Sequence, residues 1–284
     1  MTEKEFKRLR DLAEAGKASA EELKQLEPYR VKRAILLAAG VGEQLKPITI
    51  NTPKPLVKVN GVRMIDTLID ACIKAEIEEI YVVRGHLSEQ FDILRYKYPR
   101  IRFIDNPAVC CCSDTDSIAS VWKAKELLNE NVYICDADFV VYKPEVIIRK
   151  YNYYSSVLGI PVERCEDDWC LIPDDQLYVS EKVFGGVNCY KMVGVFYWTK
   201  EDAMRLKDDV HRTFTEGMKK GRNLCWEDVP IRSYRDYWNG VPVVSYRDQY
   251  DIKIIPCSAQ DIIEIDTWEE LKAIDPAYRK VGGE

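Results

Sequence analysis

From Ala34 onward, apolar and polar positions along the chain follow two alternating periods. AILLAA (34–39) is a continuous apolar run, as in a strand buried on both faces. MIDTLIDACIKA (64–75) repeats its apolar residues at helical spacing. EIYVVRG (79–85) predicts a strand, SEQFDILRYKY (88–98) a helix, IRFID (101–105) a strand, SIASVWKAKELL (117–128) a helix and NVYICDAD (131–138) a strand. Strands alternating with helices of this length predict βαβ units and a parallel sheet, whose ligands bind at the carboxyl ends of the strands. The second half is less regular. SSVLGIPV (155–162), YKMVGVFYW (190–198) and IKIIPC (252–257) predict strands; KEDAMRLKDDVHRTFTEGMKK (200–220) predicts a long helix and TWEELKAI (267–274) a closing one. No linker rich in Gly, Ser or Pro divides residues 31–284, which read as one mixed α/β domain.

Residues 1–30 stand apart. Thr2 with Glu5, and Ser19 with Glu22, match the capping-box spacing. Phe6, Leu9, Leu12 and Ala13 form a helical stripe, Leu23 and Leu26 a shorter one, with Gly16 between them and Pro28 at the end. The pattern predicts a two-helix hairpin, an appendage for packing or for forming a homodimer. It lacks the third element and the wing or arm of a DNA-binding module.

Composition narrows the classes. The chain of 284 residues is 46% hydrophobic and 31% charged, with a net charge of −6, which argues against a general nucleic-acid binder. No apolar run approaches the about 20 residues needed to span a bilayer. The charged N-terminus, MTEKEFKRLRDLAEAG, has no signal-peptide core, so a cytoplasmic location is expected. The ten cysteines are expected to be reduced thiols. Cys110, Cys111 and Cys112 are adjacent, a poor arrangement for a zinc tetrahedron. His86 and His211 are expected to be structural.

Candidate chemistry sits at the ends of three apolar runs. After 34–39 the chain reads G-x-G-x-x-L-x-P-x-T, then N-T-P-K-P-L. Gly40 and Gly42 permit tight turns, and backbone N–H groups in such a loop can cradle phosphates. Asp136 and Asp138, at i and i+2, leave one face of a strand end, and Glu264 and Asp266 do the same in DIIEIDTW (261–268). Carboxylates so placed suit Mg²⁺, which prefers oxygen ligands and brings phosphates with it.

The string LAAGVGEQLKPIT (37–49), followed by NTPKPLVKVNG (51–61), resembles the first signature of the nucleotidyltransferase superfamily. TPKPLVKVNG, EEIYVVRGHLSEQFD, YICDAD, ERCEDDWC, CWEDVP and IIEIDTWEEL narrow the resemblance to bacterial choline-phosphate cytidylyltransferases of the Lic type, over about Val31 to Tyr278. That resemblance implies a Rossmann-like α/β fold with a central mixed, mostly parallel sheet flanked by helices. It implies transfer of a cytidylyl group from CTP to phosphocholine, giving CDP-choline and pyrophosphate. By position it implies Mg²⁺ on Asp138 and Asp266, and Lys54 offsetting charge on the phosphates. Leu37, Ala38, Ala39, Gly40, Gly42, Gln44, Gly85 and Ser120 would hold the nucleotide.

Aromatic faces bind a quaternary ammonium, and a nearby carboxylate adds attraction. The resemblance implies that Trp169, Trp226 and Glu227, with Tyr190 after the Gly185–Gly186 turn, form that pocket, although any one Trp alone fits core packing as well. Phosphoethanolamine, 2-aminoethylphosphonate or a sugar 1-phosphate are the rival acceptors; a primary amine would favour carboxylates over an aromatic cage. Two positions depart from the family. Gln44 replaces an arginine, and VCCCSDTDSIAS (109–120) carries Asp116 and Ser117 where an amide pair is expected. These departures support an alternative from another class, a nucleotide-binding sensor with weakened chemistry. Gln44→Arg tests the loop: pyrophosphate release is expected to show kcat/KM for CTP rising about tenfold, the scale of one charge-assisted hydrogen bond. An unchanged value would mean that another residue supplies the charge.

Overall fold

The computed structural model describes residues 1–107, 117–219, 225–231 and 250–280. In chain order come α1 (Glu3–Glu14), α2 (Ala20–Leu26), β1 (Arg33–Ala38), β2 (Lys58–Val59), β3 (Val62–Arg63), α3 (Met64–Lys74), β4 (Glu79–Arg84), α4 (Leu94–Lys97), β5 (Arg102–Asp105) and α5 (Ser117–Ala124). Then follow β6 (Val132–Asp136), β7 (Phe139–Val141), α6 (Pro144–Ile147), β8 (Ser156–Pro173), β9 (Val179–Trp198), α7 (Lys200–Lys219), β10 (Lys253–Pro256), β11 (Ile262–Glu264) and α8 (Trp268–Ile274).

Seven strands form the central sheet in the order β10-β8-β9-β6-β1-β4-β5. β1 is flanked by parallel β4 and β6, β4 by parallel β5, and β8 by parallel β10; β9 runs antiparallel to both β6 and β8. The expected mixed, mostly parallel sheet is therefore present. Its continuous apolar strands have a simple cause. Ala34, Leu36 and Ala38 of β1 face a core shared with Ile65, Leu68, Ile69 and Cys72 of α3. Ile35 points into a second core with Ile118 and Val121 of α5 and Leu206 and Val210 of α7. With helices on both faces, neither side of the strand tolerates charge.

Two expected elements differ. Residues 88–98 form a 3₁₀ stretch, Ser88–Ile93, before the short α4. Phe91 and Leu94 are both buried, and their spacing of three is served as well by a 3₁₀ turn as by an α-helix. The strands expected at 155–162 and 190–198 continue into a long hairpin that folds back on itself. Tyr190 and Lys191 pair with Pro161 and Ile160 and also with Leu171 and Cys170. Gly185, at φ 74°, and Asn188, at φ 49°, lie in the bend. The expected residues 108–116, including Cys110–Cys112, lie outside the described residues.

The expected capping box at Ser19 forms in full, and at Thr2 only its first half forms. Glu5 N donates to Thr2 Oγ1, and Ser19 and Glu22 make a reciprocal box. Phe6, Leu9 and Leu26 are buried against Tyr151, with Tyr29 and Tyr153 closing the cluster, so the hairpin docks on its own chain. Among the described residues, no helix is long and apolar enough to cross a membrane. Leu9→Ala is expected to weaken this docking by about 2–5 kcal/mol, seen as faster amide exchange in α1 while β1 and β4 stay protected.

Candidate active site

The site begins with a small sheet. β11 pairs antiparallel with β7, setting Ile263 opposite Val140 and Glu264 opposite Phe139. Ile265 N then donates to Asp138 O at 3.2 Å. Val140, Ile265 and Leu271 pack with Leu45, Val57 and Met64 in a core that lies under these strands. This pairing brings residues far apart in sequence onto one spot. Lys54, in a 3₁₀ turn after Pro53, donates from Nζ to Asp138 Oδ2 at 2.7 Å and to Asp266 Oδ1 at 2.5 Å. The three residues expected to carry the chemistry therefore meet.

Glu264 joins them: Asp138, Glu264 and Asp266 each offer an oxygen within 4.8 Å of the others. Burial and the neighbouring Asp138 and Asp266 push the Glu264 carboxyl well above its usual range. Burial also raises the Asp266 carboxyl, against the opposing pull of Lys54. Burial works against the Lys54 ammonium, but Asp138 and Asp266 outweigh it and hold the proton more tightly than usual. One ammonium thus faces three carboxylates.

The expected nucleotide loop lies beside Lys54. Leu37 and Ala38 end β1, and Ala39 O accepts from His86 N at 3.1 Å. Gly42 is left-handed, at φ 68°, and a Cβ there would come 3.0 Å from both Lys54 Cβ and Thr49 Cγ2. Thr49 Oγ1 donates to Gly42 O at 2.8 Å, and His86 Nε2 meets Thr49 O at 2.9 Å, so His86 holds the loop. At Gly85 a Cβ would lie 2.9 Å from Ala39 O and Asn106 O. Ser120 is buried, and its Oγ accepts from Asn106 Nδ2 at 3.1 Å. Gly40 and Gln44 are exposed. Lys46, near Gln44, is paired with Glu43, and Arg63 with Asp66, so both charges have partners. The other histidine, His211, accepts from Trp122 Nε1 at 3.1 Å.

The expected acceptor residues occupy two environments, Trp226 in the core and the others around the folded-back hairpin. Trp226 is buried in the second core, its ring 4.7 Å from Phe196 and 6.3 Å from Trp198. Trp169 and Tyr190 are half-buried on the folded-back hairpin. Glu227 Oε2 accepts from Ser117 Oγ at 3.4 Å. Residues that sequence reasoning passed over complete the region. Lys182 is wholly buried, 2.6 Å from Asp228 Oδ1, 3.8 Å from Glu227 Oε1 and 4.5 Å from the Trp169 ring centroid. Lys191 pairs with Asp168 at 2.6 Å, and Glu264 and Asp266 also hold its proton. Asp136 links the two halves: burial, then Asp138, then Glu227, raise its carboxyl well above the usual range. A Cβ on Gly194 would strike Asp136 Oδ2 at 1.9 Å, so only glycine fits there.

Comparison with known proteins accounts for this arrangement. A family model described as nucleotidyl transferase matches residues 33–156. A 2-aminoethylphosphonate cytidylyltransferase from Lancefieldella rimae is 34% identical over 86% of this chain and 92% of its own. This chain belongs to the nucleotidyltransferase family, among its cytidylyltransferases. The nucleotidyltransferase is also similar to a choline-phosphate cytidylyltransferase from Streptococcus pneumoniae, 28% identical over 86% of this chain and 96% of the relative. A solved structure of CTP:phosphocholine cytidylyltransferase from S. pneumoniae matches with a TM-score of 0.71 at 27% identity, covering 87% of this chain and 99% of that one.

The acidic cluster of this nucleotidyltransferase fits a hard divalent cation. Asp138 Oδ1 is buried without a hydrogen-bond partner, a costly state for a carboxylate oxygen that a metal ion would relieve. Two outcomes follow from the charge imbalance. Lys54→Met in EDTA is expected to lower Tm by a few degrees, about 2–5 °C, since it leaves three partly buried carboxylates uncompensated, and millimolar Mg²⁺ should recover most of the loss. A carboxyl raised on folding destabilises the fold when ionised, above its unfolded value. Glu264→Gln should therefore melt above the parent protein at pH 7 in EDTA, and the gap should close as pH falls toward the ordinary glutamate value of 4.5.

Proposed function

We propose that this enzyme transfers a cytidylyl group from CTP to a small aminoalkyl phosphonate or phosphate, with 2-aminoethylphosphonate as the first choice. The observation that carries the reading is the convergence of Lys54, Asp138, Glu264 and Asp266 beside the Gly40–Gly42 loop, with Glu227 near enough to act on Asp136 between them. An oxygen of the acceptor attacks the α-phosphorus of CTP, the bond to the β-phosphate oxygen breaks, and pyrophosphate leaves. Backbone groups from Ala38 to Gly42, with Gly85 and Ser120, hold the nucleotide. Lys54 offsets negative charge as it builds on the phosphates. Asp138 and Asp266, with Glu264, would hold Mg²⁺, which supplies further charge neutralisation when bound. The protein forms no covalent bond; positioning does most of the work.

The acceptor's ammonium would lie near Glu227. A primary ammonium suits that carboxylate, because Trp226 is buried in the core and Lys182 lies over Trp169. Phosphocholine is the second reading, supported by likeness to the choline-phosphate enzymes and by the half-buried Trp169. The test is pyrophosphate release with Mg²⁺, pairing CTP, UTP and ATP with 2-aminoethylphosphonate, phosphoethanolamine, phosphocholine and glucose 1-phosphate. Turnover is expected with CTP and 2-aminoethylphosphonate, and Asp138→Ala should lower kcat by at least about 100-fold. Binding of CTP without turnover on any acceptor would replace this reading with that of a sensor.

A further inference from the structure

Lys182 is an unusual group to find where an aminoalkyl acceptor would place its own cation. It is the one lysine among the described residues whose side chain is wholly buried. It sits on β9 opposite Leu171, inside the folded-back hairpin, where a strand pattern alone would give no reason for a charge. Its ammonium makes three contacts at once. It closes on Asp228 at 2.6 Å, stands 3.8 Å from Glu227, and covers Trp169 at 4.5 Å from the ring centroid. An aromatic face and two carboxylates are what a choline headgroup needs. Here the protein supplies the cation itself.

We propose that Lys182 sets acceptor specificity: it occupies the aromatic face of Trp169 and engages Asp228, and so favours a primary ammonium at Glu227 over a trimethylammonium group. This inference rests on the cytidylyl-transfer reading above. The charges are consistent with it. Lys182 cancels one of the two carboxylates, so the trio of Lys182, Glu227 and Asp228 keeps a single negative charge. Glu227 is the more loosely held of the pair. Ser117 Oγ donates to its other oxygen at 3.4 Å and accepts from Trp226 N at 3.0 Å, which fixes the carboxylate relative to α5. A primary ammonium can donate hydrogen bonds to Glu227. A trimethylammonium group has no N–H to donate and depends on aromatic contact, which Lys182 already takes. Lys182 does not touch the reacting phosphates and acts as a positioning residue.

The test compares kcat/KM for phosphocholine and 2-aminoethylphosphonate in the parent enzyme, in Lys182→Met, and in Lys182→Met with Asp228→Asn. The double variant keeps the net charge of this group and removes the carboxylate that Lys182 neutralises together with its cation. The parent should prefer 2-aminoethylphosphonate. In either variant the ratio of phosphocholine to 2-aminoethylphosphonate should rise about tenfold, while KM for CTP stays within about twofold. A general structural defect would lower both acceptors together and leave the ratio in place. An unchanged ratio in a variant that still binds CTP overturns the role of Lys182 alone, as does a parent enzyme that already prefers phosphocholine. A parent enzyme silent with every acceptor overturns the cytidylyl-transfer reading itself, and this inference with it.

Discussion

Lys54 holds the two ends of the chain together. Its ammonium joins Asp138, at the end of the parallel half, to Asp266, just before the closing helix. Each carboxylate alone would be costly at that depth, and three together would repel strongly. The β7–β11 pairing and the packing of Ile265 and Leu271 supply the stability that permits such a cluster. The strain is electrostatic, and a divalent cation held by the three carboxylates would relieve it. Functional sites commonly hold groups in such unfavourable states. The cost of the cluster in the free protein is thus a measure of its readiness for ligand.

Much of this was legible in the sequence because the signals were local. An apolar run ending in Gly40 marks a strand and its loop, and Asp136 and Asp138 mark the end of another. Lys54 stands out between two prolines. The resemblance to nucleotidyltransferases then put these pieces in one order, and the sheet matches that order. The capping box at Ser19 was equally readable, since it depends on residues three apart.

What was not legible depends on contacts between distant segments. Lys182 lies in VSEKVFGG, a stretch to which the sequence pattern assigns no element. Its burial follows from a hairpin that doubles back, and no periodicity encodes that fold. Residues 163–169 alternate poorly, and the ladder is interrupted by a register shift between Cys165 and Trp169. Gly194 reads as an unremarkable residue within YKMVGVFYW, yet Asp136 fills the space where its side chain would be. Trp226 invited a role in the ligand pocket because it neighbours Glu227. Its large apolar ring gains more by joining Phe196 and Trp198.

The hairpin has a consequence for how such an enzyme changes over generations. Asp168, Trp169, Lys182 and Lys191 all belong to one ribbon, β8–β9, whereas Gly42, Lys54 and Asp138 belong to other segments. Under the proposed function, substitutions along the ribbon would alter which small molecule is accepted, except where Gly194 packs on Asp136 and Lys191 acts on Glu264 and Asp266. Relatives that differ in acceptor but share the nucleotide are the expected products of that division of labour. The catalytic half can be inherited intact while the ribbon explores new partners.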